Sequence, residues 1–185
     1  TSGHVPLAGE TITNLPSHKR ALKGISYLAQ EPSVFKKLTV EENVRIILEP
    51  LGLSRNEINN RINELMADLG IEYLRHNKGY ALSGGERRRV EIMRSLSTRP
   101  RFILLDEPFA GIDPLAVIEL QKIIHGLKSK GLGILISDHN VRETLQVCDF
   151  AYIMNAGQIL TSGVAEDIIE SEVARKMYLG ENFTM

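Results

Sequence analysis

Arg101-Phe102-Ile103-Leu104-Leu105-Asp106-Glu107-Pro108 is the stretch on which the reading of this chain turns. Four apolar residues in a row, with no polar alternation, fit a strand buried on both faces of a parallel sheet. Such sheets present functional groups at the carboxyl ends of their strands. Here that end carries two adjacent carboxylates, and Pro108 stops the ladder because it has no N–H to donate. Asp106 suits Mg²⁺, since hard cations take carboxylate oxygens. Glu107, one residue on, is placed to orient or deprotonate a water attacking a phosphate. A strand ending at a solvated acidic turn would look the same, so the neighbouring motifs have to decide.

Downstream, Asp113 as N-cap and Pro114 at the first helical position start a helix running to about Ser129. Leu115, Ile118, Ile123, Ile124 and Leu127 are expected to face inward from it. Leu132-Gly133-Ile134-Leu135-Ile136 reads as a second buried strand, with Ser137-Asp138-His139 at its carboxyl end. Strand, helix and strand form a right-handed crossover, and adjacent strands would bring His139 beside Asp106 and Glu107. Upstream lies Leu82-Ser83-Gly84-Gly85-Glu86-Arg87-Arg88-Arg89. Ser83 and Glu86 make a capping box. Two glycines opening a helix cost roughly 1 kcal/mol each against alanine. That cost suggests that something approaches the backbone closely, and free N–H groups at a helix start suit a phosphate. The arginine run reads as a solvated helix face rather than a nucleic-acid patch, because the net charge of the chain is −1 and no aromatics interleave it.

Two further capping boxes, Thr39/Glu42 and Ser54/Glu57, open helices whose apolar residues recur at helical spacing. Residues 39–98 therefore read as an all-α subdomain inserted into a sheet domain made of 1–38 and 99–185. Before it come a short strand-turn-strand around Gly9, a basic helix from Pro16 to Lys23, and a strand Ile25–Ala29 with Gln30 at its end. After it, Phe150–Met154 and Gln158–Thr161 read as a hairpin, and Val164–Leu179 as one amphipathic helix. With 43% hydrophobic and 24% charged residues among 185, the composition is that of an ordinary globular protein. Cys148 is the only cysteine, which excludes an internal disulfide and a cysteine zinc cluster. No apolar run reaches the ~18 residues that span a bilayer. Service to a membrane would therefore pass through a partner.

Gln30 after a strand, L-S-G-G-E at 82–86, F-I-L-L-D-E-P at 102–108, G-I-D at 111–113 and His139 stand in one order. Together they resemble the Q-loop, signature, Walker B, D-loop and H-loop of ABC transporter ATPases. Finer stretches resemble the branch that drives lipopolysaccharide export: G-I-S-Y-L-A-Q-E-P-S-V-F-K-K-L-T-V-E-E-N (24–43), S-D-H-N-V-R-E-T-L (137–145) and Y-L-G-E-N-F (178–183). ATPases of branched-chain amino-acid importers share the signature context and the D-E-P-x-A-G turn and are the nearest rivals.

The resemblance implies an α/β, P-loop NTPase-like (RecA-like) core with a mostly parallel sheet and the inserted signature subdomain. It implies ATP and Mg²⁺ as ligands, a head-to-tail ATPase homodimer, and integral membrane subunits docking near Phe35. It places the protein at the cytoplasmic face of the inner membrane, with no nucleic acid as partner. By the same resemblance Asp106 and Gln30 hold Mg²⁺, Glu107 positions the attacking water and His139 meets the γ-phosphate. Ser83, Gly84, Gly85 and Glu86 serve the nucleotide held by the partner, and Asp113 couples the two sites. The family's G-x-x-x-x-G-K-[ST] loop does not occur in the 185 residues. The expectation is that it lies upstream of Thr1, that one slot of the sheet is left empty without it, and that residues 1–185 alone are an inert fragment that neither binds nor hydrolyses ATP.

Overall fold

The computed structural model describes residues 3–180. Glu181, Asn182 and Phe183, which carry part of the resemblance, lie outside the described residues, as do Thr1 and Ser2. β1 (Pro6–Leu7) and β2 (Glu10–Thr11) pair antiparallel across a two-residue turn. Ala8 and Gly9 there both take positive φ, the geometry that matches strand twist in a tight hairpin. α1 (Ser17–Leu22) follows and leads into β3 (Ile25–Leu28).

Three helices come next, and each starts where its capping box predicts. Thr39, Ser54 and Ser83 each accept a hydrogen bond from the backbone N–H three residues on, and the glutamate there returns one. They open α2 (Val40–Leu48), α3 (Arg55–Leu69) and α4 (Gly84–Leu96). β4 (Phe102–Asp106), α5 (Pro114–Ser129), β5 (Gly133–Ser137) and α6 (Val141–Leu145) continue the chain. β6 (Ala151–Asn155) and β7 (Gln158–Gly163) form the expected hairpin, with Ala156 and Gly157 at its turn.

β3, β4 and β5 form one parallel sheet in that order, with Leu28 opposite Leu105 and Leu105 opposite Ile136. Leu28, Ile103 and Leu105 are buried in an apolar cluster shared with Val44, Ile62, Met66, Ile92 and Met93 of the helices. The other face is different. Tyr27, Phe102 and Leu135 are exposed there, so the apolar run of β4 is buried on one face and not on both. The helix α4 packs against β3, which α1 also touches. On the open face the Phe102 ring lies across Gly133, where a β-carbon would come within 2.3 Å of it.

Two other expectations are corrected. Leu115 and Ile118 are exposed on α5, whereas Ile124 and Leu127 are buried as expected and Leu120 is buried with them. The C-terminal helix is broken: α7 covers Ala165–Glu170, Ser171 is extended (ψ 116), and a new turn starts at Glu172. The Ser171 hydroxyl accepts from the Ala174 N–H, so this serine competes with helix continuation by capping a fresh start. A wide π-type turn over Arg175–Leu179 follows.

Candidate active site

The carboxyl ends of β3, β4 and β5 deliver Gln30, Asp106-Glu107 and Ser137-Asp138-His139 to one edge of the sheet. Asp106 and Ser137 are register partners, and Tyr27, Asp106 and Ser137 share the open face by strand alternation. The Ser137 hydroxyl donates to Asp106 Oδ1 at 2.6 Å and the Tyr27 hydroxyl to Oδ2 at 2.9 Å. The bonds from Ser137 and Tyr27 hold the Asp106 carboxyl below the usual aspartate range. The reciprocal effect raises the Tyr27 hydroxyl.

Glu107 turns toward the other two strands. Gln30 Nε2 donates to Glu107 Oε2 at 2.7 Å, and His139 Nδ1 stands 3.5 Å from the same oxygen. His139 thus meets Glu107 as the crossover predicts, and Gln30 joins them from the end of β3. Beside them Asp138, whose side chain is fully buried, accepts from the Phe109 N–H (3.1 Å) and from Asn140 N (2.8 Å). It ties the segment after β4 to the segment after β5.

The backbone at Glu107 is strained, with φ at +43°. Such a conformation costs a non-glycine residue about 1–3 kcal/mol and survives only where its surroundings over-determine it. Here they do. The peptide unit entering Glu107 is held at both ends: its N–H donates to Ser137 O at 2.7 Å, and its carbonyl, Asp106 O, accepts from Arg88 Nη2 at 2.9 Å. The peptide leaving Glu107 is held by the Ala110 N–H on Glu107 O. A hydrogen bond from a charged donor contributes about 1.5–3 kcal/mol, comparable to the strain it opposes.

This arginine corrects the reading of the basic run. Arg88 is only 7% exposed, and the neighbouring guanidinium groups are engaged as well: Arg87 on Leu82 O, and Arg89 on Glu119 and the Tyr73 hydroxyl. Arg88 is internal, while Arg87 and Arg89 stay half-buried with bonded guanidinium groups. Sequence reading passed over Tyr27, Ser137, Asp138, Arg88 and Glu91. Only Tyr27 and Ser137 had a local signal, hydroxyls on the same strand face as Asp106.

The glycines of the signature segment have a reason inside this chain. A β-carbon on Gly85 would stand 2.6 Å from the Ala116 β-carbon of α5, and one on Gly84 would stand 3.7 Å from Gly111 O. What approaches closely at Gly85 is therefore the first turn of α5. Glu86 returns its carboxylate to the Ser83 N–H at 2.8 Å, and this bond holds it below the usual glutamate range. Asp113 caps α5 through the Ala116 N–H at 2.9 Å. Among the described residues no hydrogen bond joins Ser83, Gly84, Gly85, Glu86 or Asp113 to the Gln30–Glu107–His139 group. No three His, Cys, Asp or Glu side chains of the described residues gather as a metal cage. Mg²⁺ asks for less, one or two carboxylates with water completing the shell, and Asp106 offers one such carboxylate at the exposed edge of the sheet.

Comparison with known proteins agrees with this geometry. The family model described as ABC transporter matches residues 1–110. The lipopolysaccharide export system ATP-binding protein of Acidithiobacillus ferridurans is 51% identical over 181 residues, 98% of this chain and 75% of its own length. That of Haemophilus influenzae is 50% identical over 184 residues, 99% of this chain and 76% of its own. Among solved structures, the ADP conformation of an ATP-binding cassette of an ABC transporter superposes with a TM-score of 0.83 at 29% identity, covering 97% of this chain and 78% of that one. A family model over more than half of the chain, with relatives about half identical over nearly all of it, shows that the chain belongs to the ABC transporter ATP-binding family.

Proposed function

We propose that this protein is the ATP-hydrolysing subunit of a lipopolysaccharide export transporter, working as a homodimer on the cytoplasmic face of the inner membrane. The observation that carries the chemistry is the convergence of Gln30, Glu107 and His139 on one carboxylate oxygen. The export branch rests on the identity to two export ATP-binding proteins over nearly the whole chain. Glu107 orients the water that attacks the γ-phosphate, and the strained, pinned backbone fixes where its carboxylate points. His139 donates to the phosphate from the adjoining strand. Asp106 and Gln30 are the groups that would hold Mg²⁺, whose charge offsets that of the transferring phosphoryl group. Asp106 is readied for this by its ionised, doubly hydrogen-bonded state. Ser83, Gly84, Gly85 and Glu86 face the nucleotide of the second subunit, and Asp113 joins the two sites through the first turn of α5.

Phe35 is the docking point for the membrane subunits. The residue is 47% exposed, while its backbone N–H and carbonyl are both clamped by the buried side chain of Asn43. The Arg94 guanidinium lies 4.8 Å from the ring centroid, a cation–π contact that holds the ring in place. No helix of the described residues is long and apolar enough to cross a membrane. The test is Glu107→Gln in the intact gene product: hydrolysis falls at least about 100-fold while ATP binding is kept. Turnover within about threefold of wild type would remove Glu107 from this role. Phe35→Ala is expected to lose co-purification with the membrane subunits without a change in melting temperature.

A further inference from the structure

Arg88 is buried and central, and its reach extends beyond the Glu107 peptide. Its Nη1 donates to Ala29 O at 3.0 Å, across 59 residues, and its Nη2 to Asp106 O at 2.9 Å, across 18. These are the carbonyls immediately before Gln30 and Glu107. One planar fork therefore holds both peptide units from which the two site residues hang. Its charge is met by Glu91, one turn along α4 and itself buried, at 3.1 Å. The other oxygen of Glu91 accepts the Ser33 N–H at 3.0 Å. One further turn along, Arg94 takes the Ser33 carbonyl and hydroxyl and covers the Phe35 ring. A single face of α4 thus touches the site at one end and the segment 33–35 at the other.

We infer that Arg88 is a positioning residue for hydrolysis, and that the Arg88–Glu91 pair relays the state of segment 33–35 to the backbone of Gln30 and Glu107. The inference rests on the proposed role of Glu107. Arginine suits the task because its rigid fork reaches two acceptors in fixed relation, which a lysine ammonium cannot reproduce. Moving Ser33 pulls on Glu91, which shifts the guanidinium. Without Arg88 at Asp106 O, the peptide entering Glu107 loses one of its two restraints and can rotate out of the positive-φ conformation. The carboxylate then leaves its place beside Gln30 and His139.

The experiment uses the intact gene product with Mg-ATP. Arg88→Lys keeps the charge and the pairing with Glu91 but loses the fork. It is expected to lower kcat about 10- to 100-fold, the range for a small misplacement of a reacting group, with KM for ATP within about threefold. Glu91→Gln keeps an acceptor for the Ser33 N–H and the shape of the side chain. It is expected to lower kcat less, and to speed hydrogen exchange at residues 33–35. The double variant should lose less than the product of the two single losses, because both act through one pair. Unchanged kcat in Arg88→Lys would overturn the positioning role. A drop in melting temperature with unchanged kcat per folded molecule would overturn it too, leaving only a structural one. Fully independent effects of the two variants would overturn the relay. Full turnover by Glu107→Gln would remove the reading beneath the inference, and it is told apart because it needs no change at Arg88.

Discussion

The two faces of the β3–β4–β5 sheet draw on similar residues and meet opposite surroundings. Leu28, Ile103 and Leu105 are sealed under α2, α3 and α4, while Leu135 is 64% and Tyr27 59% exposed on the other side. The site divides along the same line. Asp106, Tyr27 and Ser137 belong to the open face, where an anion and its counter-ion can be reached. The backbone that aims Glu107 is held from the packed face by Arg88 of α4. Among the described residues, the difference teaches that the rigidity of the site comes from the packed face.

Substitutions can break or sharpen this division. Ile103→Ala, at a fully buried position, is expected to cost about 2–5 kcal/mol, read from denaturant unfolding. Leu135→Ala on the open face should change stability by no more than about 0.5 kcal/mol. Equal costs at the two positions would erase the distinction. Gly85→Ala should cost about 1–3 kcal/mol by crowding Ala116, although alanine is the better helix former. Combined with Ala116→Gly, part of that loss should return. A fully additive double variant would show that the two helices separate freely there.

Acid offers a third comparison. On the packed side, Arg45 and then Arg75 hold the Glu41 carboxyl below its ordinary range. A folded-state value below the unfolded one contributes stability that is complete above the unfolded pKa, about 4.3 for glutamate. That stability is lost as pH falls through the folded value. The stabilities of wild type and Glu41→Gln should therefore differ at pH 6 and converge as pH falls below about 4. A gap that persists in acid would exclude the pairing as its source. On the open side, Ser137→Ala removes the larger of the bonds that hold Asp106 down. The Asp106 titration should move up in NMR, with almost no change in stability because the pair is exposed.

What could be read from the sequence was what local chemistry decides. Capping boxes at Thr39, Ser54 and Ser83 start helices wherever the chain puts them, since donor and acceptor lie three residues apart. Glu107 and His139 could be placed together because parallel strands with crossovers put their carboxyl ends on one edge, whereas Gln30 had only the family resemblance to point to it. The arginine run misled because the partners of Arg88 are carbonyls 59 and 18 residues away, on strands that only the tertiary fold brings near. The apolar run of β4 is covered on one face by the described residues. Leucine and isoleucine mark a strand's affinity for cover, not which of its faces receives any. Leu115 and Ile118 show the same limit on a helix, where several apolar stripes compete to face the core. Positive φ at Glu107 has no local signal either, as glutamate is a poor residue for it and only the pins on both adjoining peptides hold it there.

The strand order also sets a sequence of events in time. Pairing β4 with β5 closes the chain over residues 107–132, whereas pairing β3 with β4 closes it over 29–101, nearly three times as long. At about 0.6 kcal/mol per doubling, the longer closure carries about 0.9 kcal/mol more entropy loss before its contacts repay it. The β4–α5–β5 unit should form first and serve as the platform on which β3 and the helices dock. Gln30 then joins Glu107 and His139 last, so the nascent protein completes its catalytic edge only when the segment leading to Phe35 has come into place.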